Sequence, residues 1–188
     1  YCQRLNLGKV RSDENALFSF GPHDISVVLY LLNDIPSSVT AVGRSYLQPG
    51  VEDVVFLNIF FENHVMAHIH VSWLDPHKVR RITLVGSKKM VVFDDMAPRE
   101  KVKIYDKGVD RSSEYGSYGE FLSLRNGEIR IPDITMMEPL RLECEHFIDC
   151  IEHDRTPLSD GRNGLLVTQV LDAGYRSLRS GGVPMEVM

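Results

Sequence analysis

The stretch from residue 38 to residue 107 constrains the fold most. It contains "SVTAVGRSYL" (38–47), "DVVFLNIFFE" (53–62), "VMAHIHVSWL" (65–74), "VRRITLVGSKKMVVFDD" (79–95) and "KVKIYDK" (101–107). These segments are rich in β-branched and aromatic residues, which fit a pleated, half-buried surface. "GSKK" is a short turn-like connection, so 79–95 reads as a hairpin. In the segment from Val65, residues Val65, Ala67, Ile69 and Val71 alternate with Met66, His68 and His70. Alternate side chains of a strand share a face, so this strand carries one apolar face and one mixed face.

Helical patterns flank the strands. Ile25, Val28, Leu29 and Leu32 recur at i, i+3, i+4 and i+7, which predicts an amphipathic helix over 21–32. Pro22 suits its first turn, Gly21 its cap, and Asp24 its positive end. Leu140, Cys144, Phe147, Ile148 and Ile151 form an apolar stripe over 139–153. Leu166, Val170, Ala173 and Leu178 form another, with Asp160 as cap and Gly181-Gly182 as stop. Residues 3–8 and the stretches "GEIRIP" and "GVPMEV" read as short strands. The polar segment 108–126 reads as a mobile loop. A helix, then many hairpin-linked strands, then helices predicts an α+β fold: a mainly antiparallel, open-faced sheet with helices on one face.

Bulk properties exclude several function classes. The chain has 188 residues, 43% hydrophobic and 25% charged, enough for one domain with its own core. The net charge of −5 gives no reason to expect nucleic acid as a partner. No apolar run of about 18 residues predicts a membrane span. Cys2, Cys144 and Cys150 cannot all pair with one another, and reduced thiols point to the cytoplasm. Tyr1 is no initiator methionine, so the chain reads as a fragment of something longer. It contains no G-x-G-x-x-G, no P-loop and no G-x-S-x-G.

His23 is the leading candidate for chemistry. In the first turn of a helix, the dipole would disfavour imidazolium and leave a neutral ring able to accept a proton. The plain alternative is a histidine that bonds a neighbouring loop. Asn15, Ser19 and His23 recur every four residues and are placed to line one pocket wall, although Gly21-Pro22 should break a single helix through them. His68 and His70 have a metal-ligand spacing, but a third ligand such as His64 or Glu62 would be needed. The simpler reading is a half-polar sheet face against solvent or a second subunit, and we expect no metal. Trp73, the single tryptophan, is placed to stack on a sugar or nucleobase, with a core or interface position as the alternative. Glu143, Glu145 and His146 read as a solvated helix face.

Four stretches resemble the C-terminal domain of the Gfo/Idh/MocA family of NAD(P)-dependent oxidoreductases. They are "RLNLGKVRSDENALFSFGPHDISVVLYLL", "SWLDPHKVRRITLVGSKKMVVFDD", "EPLRLECEHFIDCI" and "DGRNGLLVTQVLDA", in the family's order. The likeness is nearest to members from surface-polysaccharide gene clusters, which act on nucleotide sugars of the UDP-N-acetylglucosamine type. The resemblance implies a dihydrodipicolinate-reductase-like fold over 1–188, serving as substrate-binding and oligomerisation domain. It implies an N-terminal Rossmann domain, absent from this chain, that holds NAD or NADP and supplies an E-K-P lysine. That half would need about 100–150 further residues upstream of Tyr1, and the fragment alone should be inactive. The family's G-x-H histidine maps onto His23, which would contact the reacting hydroxyl of a sugar or nucleotide sugar. Ser19 and Ser26 stand where family members carry aspartates, and neither serine is a carboxylate base. The open sheet face implies a homo-oligomer. A non-catalytic sugar-binding or assembly protein that kept the fold is the alternative.

Overall fold

The computed structural model describes residues 1–111 and 122–188. Its elements, in chain order, are β1 (Cys2–Leu5), α1 (Ala16–Leu32), β2 (Pro36–Arg44), β3 (Val54–Phe61), β4 (Met66–Ser72), β5 (Val79–Val85), β6 (Met90–Asp94), β7 (Val102–Arg111), β8 (Leu122–Arg130), α2 (Pro139–Glu152), α3 (Gly161–Arg179) and β9 (Met185–Glu186). The strands form one sheet in the order β8-β7-β6-β5-β1-β4-β3-β2-β9. β1 runs parallel to β4 and antiparallel to β5. The other neighbours pair antiparallel. This is the expected α+β architecture.

Helices α1 and α3 cover one face of the central strands. Leu17, Ile25, Val28 and Leu29 of α1 and Val170, Leu171 and Ala173 of α3 are buried against Val55, Leu57 and Ile59 of β3 and Ile69 and Val71 of β4. The period of two in β3 and β4 therefore sets which residues form the core. The opposite face carries Phe56, Met66 and Val42, all exposed, with His68 and His70 half-buried among them. Among the described residues no helix is long and apolar enough to cross a membrane.

Helix α1 departs from expectation. It starts at Ala16 and runs through Gly21 and Pro22. Asn15 is its N-cap, accepting from the Phe18 backbone N–H at 3.1 Å. Pro22 forgoes one intrahelical hydrogen bond, but Ala16 and Leu17 are fully buried and draw the first turn onto the sheet. Gly21 is a packing glycine rather than a cap, since a Cβ there would lie 3.0 Å from Leu17 Cδ1 and 3.4 Å from Leu171 Cδ2. Gly181 and Gly182 do end α3, with φ of 74° and 92°.

Two further differences lie towards the C-terminus. The expected mobile loop 108–126 is partly sheet, because residues 108–111 belong to β7 and 122–126 to β8; the stretch 112–121 lies outside the described residues. Among the described residues no helix packs on β7 or β8, so neither strand needs the apolar alternation that marks β3 and β4. Helix α2 forms where expected, but its stripe is not core: Leu140, Cys144, Phe147, Ile148 and Ile151 are exposed, and Cys150 is its one buried residue.

Candidate functional site

The outer face of α1 carries the candidate chemistry. Ser19, His23 and Ser26 are spaced i−4, i and i+3, so they form one stripe. The imidazole of His23 is exposed, and both serines are partly exposed. Because α1 begins at Ala16, His23 sits beyond the first turn, where the helix dipole has faded. The ring is still biased towards its neutral form. Partial desolvation lowers its pKa most, the nearby Arg4 guanidinium lowers it further, Asp24 opposes, and Arg80 adds to the lowering. The expected bias towards a neutral ring thus has a different cause, desolvation in place of the helix dipole.

Next to His23 is a buried acid, Asp24, expected from the sequence only as a complement to the helix end. Asp24 is 2% exposed and faces β1, where Arg4 Nε donates to its Oδ2 at 2.6 Å and Arg4 Nη2 to its Oδ1 at 3.3 Å. The signal was available in the helical register. Leu17, Gly21, Asp24 and Val28 recur at the spacing of a buried stripe, which marks position 24 as inward-facing.

The other expected site residues are drawn into the scaffold. Asn15 is buried, its Oδ1 taken by the helix cap and its Nδ2 donating to Glu52 Oε2 at 2.8 Å. The Ala16 N–H donates to the Glu52 carbonyl at 2.8 Å, and the Trp73 N–H to the Asp53 carbonyl at 3.0 Å. The indole of Trp73 is 1% exposed and presents no free face in this chain. Asn15 and Trp73 therefore both meet the two-residue segment Glu52-Asp53, while Ser19 shares the outer stripe with His23.

The open sheet face holds the second histidine group. His68 Nδ1 lies 2.8 Å from Asn58 Oδ1, and the His70 ring stacks on Phe56 with centroids 4.3 Å apart. Burial lowers both imidazole pKa values. Among the described residues no group of three or more His, Cys, Asp or Glu comes together as a metal site.

Among the described residues, the helix N-termini that could face a dinucleotide's phosphates are already capped. The N-terminus of α1 is closed by Asn15, that of α2 by Glu138 and that of α3 by Asp160, each side chain accepting a hydrogen bond from its own helix. Two of the three caps are carboxylates, which would repel a pyrophosphate. His23 also lines none of the cavities of about 430, 400, 330 and 360 Å³ in the described residues.

Comparison with known proteins follows the same lines. Residues 6–92, which include Asn15, Ser19, His23 and Trp73, match the GFO/IDH/MocA C-terminal domain. No curated protein matches the chain. Among solved structures, the chain is similar to UDP-N-acetylglucosamine 3-dehydrogenase GnnA from Acidithiobacillus ferrooxidans, with 19% identity, a TM-score of 0.78, and cover of 95% of this chain and 52% of that one. It is similar to aldose-aldose oxidoreductase from Caulobacter crescentus complexed with glycerol, with 18% identity, a TM-score of 0.73, and cover of 98% and 54%. It is also similar to the WlbA dehydrogenase from Bordetella pertussis in complex with NADH and UDP-GlcNAcA, with 20% identity, a TM-score of 0.67, and cover of 100% and 53%. At these identities the likeness is one of fold, and the chain spans about half the length of those structures. Residues 6–92 are thus similar in sequence to the GFO/IDH/MocA C-terminal domain, and nearly the whole chain is similar in fold to the solved structures above.

Proposed function

We propose that this chain is the substrate-binding and oligomerisation part of an NAD(P)-dependent oxidoreductase that oxidises a hydroxyl of a sugar or nucleotide sugar. The observation that carries the reading is His23, an exposed imidazole biased towards neutrality on the outer face of α1. A neutral imidazole accepts the hydroxyl proton as the carbon–hydrogen bond is broken. A nicotinamide would take the hydride. The names of the similar structures, a UDP-N-acetylglucosamine dehydrogenase and an NADH complex with UDP-GlcNAcA, support this substrate and cofactor class. Ser19 and Ser26 flank the imidazole and are suited to hydrogen-bond a second hydroxyl. Asn15 and Trp73 support the wall behind it.

Two further parts belong to the same reading. An upstream Rossmann domain holds the cofactor and, packed against the outer face of α1, forms the crevice over His23 that this chain alone lacks. The exposed apolar stripe of α2 supports a second body packed against this chain. A second subunit covers the open sheet face, where Phe56, Met66 and Val42 are exposed. The free thiols fit a cytoplasmic enzyme of polysaccharide biosynthesis. On this reading the 188 residues alone are inactive.

The test is turnover in the longer polypeptide. His23→Ala should lower kcat on a UDP-sugar by at least about tenfold, with cofactor binding nearly unchanged. Unchanged turnover would remove His23 from the chemistry. A longer polypeptide that binds the sugar without oxidising it would favour the non-catalytic alternative.

A further inference from the structure

Asp24 is the buried charge that the proposed chemistry does not use. At 2% exposure it occupies a core-facing position of α1 that Leu17, Gly21 and Val28 share. A buried ion pair is a poor source of stability, because desolvating both charges offsets most of their attraction; a well-packed apolar pair often does as well or better. Stability alone therefore does not explain an Arg–Asp pair between α1 and β1. Its geometry is specific. Two guanidinium nitrogens meet the two carboxylate oxygens, at 2.6 and 3.3 Å, so the side chains fix each other's planes as well as their separation.

The surroundings narrow the role. Arg4 stands directly opposite Arg80 in the β1–β5 pairing, a like-charge neighbourhood that is unfavourable unless each cation has its own acid. Arg80 meets Asp95 at 3.4 Å, and Arg4 meets Asp24. The charged groups that influence His23 are these same ones: Arg4 on β1, Arg80 on β5, and Asp24, its neighbour on α1.

We propose that Arg4 and Asp24 are a positioning pair for His23, anchoring its turn of α1 to the central strand and leaving a net positive influence behind the imidazole. This deepens the reading of His23 as the proton acceptor and rests on it. The pair touches neither substrate nor cofactor and acts through the neighbouring residue.

The test is a histidine-resolved NMR titration of the 188-residue chain and its variants. Arg4→Met removes a cation that lowers the His23 pKa, so the His23 titration should move up. Asp24→Asn removes an anion that raises it, so the titration should move down. Arg4 has the larger influence of the two, so the double variant Arg4→Met/Asp24→Asn should titrate above the parent. The double variant leaves no lone buried charge, and it decides the matter if either single variant fails to fold. A pair serving only as structural glue would loosen α1 in both single variants, relieve the desolvation of the ring, and move both titrations up. That outcome, or a double variant that titrates like the parent, would overturn the proposal. The readout needs no turnover, so its failure leaves the proposed function standing, and an inactive role for His23 leaves the pair's effect on it measurable.

Discussion

Helices α1 and α2 are both amphipathic, yet α1 buries its apolar stripe against β3, β4 and α3, whereas α2 leaves Leu140, Phe147, Ile148 and Ile151 exposed. Phe147 is 63% exposed and Ile151 67%. A helix of 14 residues is marginal in water without packing along one face. The apolar exposure also runs on both sides of it, through Ile131, Ile134 and Met136 before and Leu158 and Leu165 after. The difference teaches that a 3.6-residue pattern states a demand for a partner without naming one. In α1 the demand is met by this chain. In α2 it is met, on our proposal, by the upstream domain.

The contrast can be broken by mutation. Leu17→Ala in α1 should destabilise the chain by about 2–5 kcal/mol in denaturant unfolding, since a fully buried leucine leaves a cavity under Gly21 and Gly174. A cost below about 1 kcal/mol would mean that α1 is not held as described. Asn15→Ala should cost about 1–3 kcal/mol, combining a lost cap with a Glu52 carboxylate left buried without its donor. The corresponding change in α2, Glu138→Ala, removes an exposed cap and should cost about 0.5–1 kcal/mol in the same assay. The smallest effect should be that of Phe147→Ala, within about 0.5 kcal/mol in this chain. In the longer polypeptide the same substitution should become clearly destabilising. Equal, small costs in both contexts would remove α2 from any domain interface.

Much of the fold was legible because its signals are local and periodic. The alternation assigned Ala67, Ile69 and Val71 to the core and Met66, His68 and His70 to the open face; Val65, read with the first set, precedes β4 and is exposed. The Asp160 cap and the Gly181-Gly182 stop bounded α3 well. The Gly21-Pro22 pair misled because both residues are read as boundaries on local grounds. Here the burial of Leu17 and the close approach of α3 at Gly21 outweigh one missing backbone hydrogen bond. The site was legible in part for a related reason. His23 stood out by its neighbours in the chain, whereas the Arg4–Asp24 pair joins residues 20 apart and exists only once β1 lies under α1.

The sequence by itself determined the alternation of the strands, the existence of three amphipathic helices, and the placing of a histidine on the first of them. These follow from side-chain periodicity, which each segment carries alone. Only the tertiary structure decided that α1 begins at Asn15's cap, that Asp24 turns inward to Arg4, that Asn15 and Trp73 are buried, and that among the described residues the apolar stripe of α2 is left uncovered. Each of those depends on which surfaces meet, and burial is a property of two segments together.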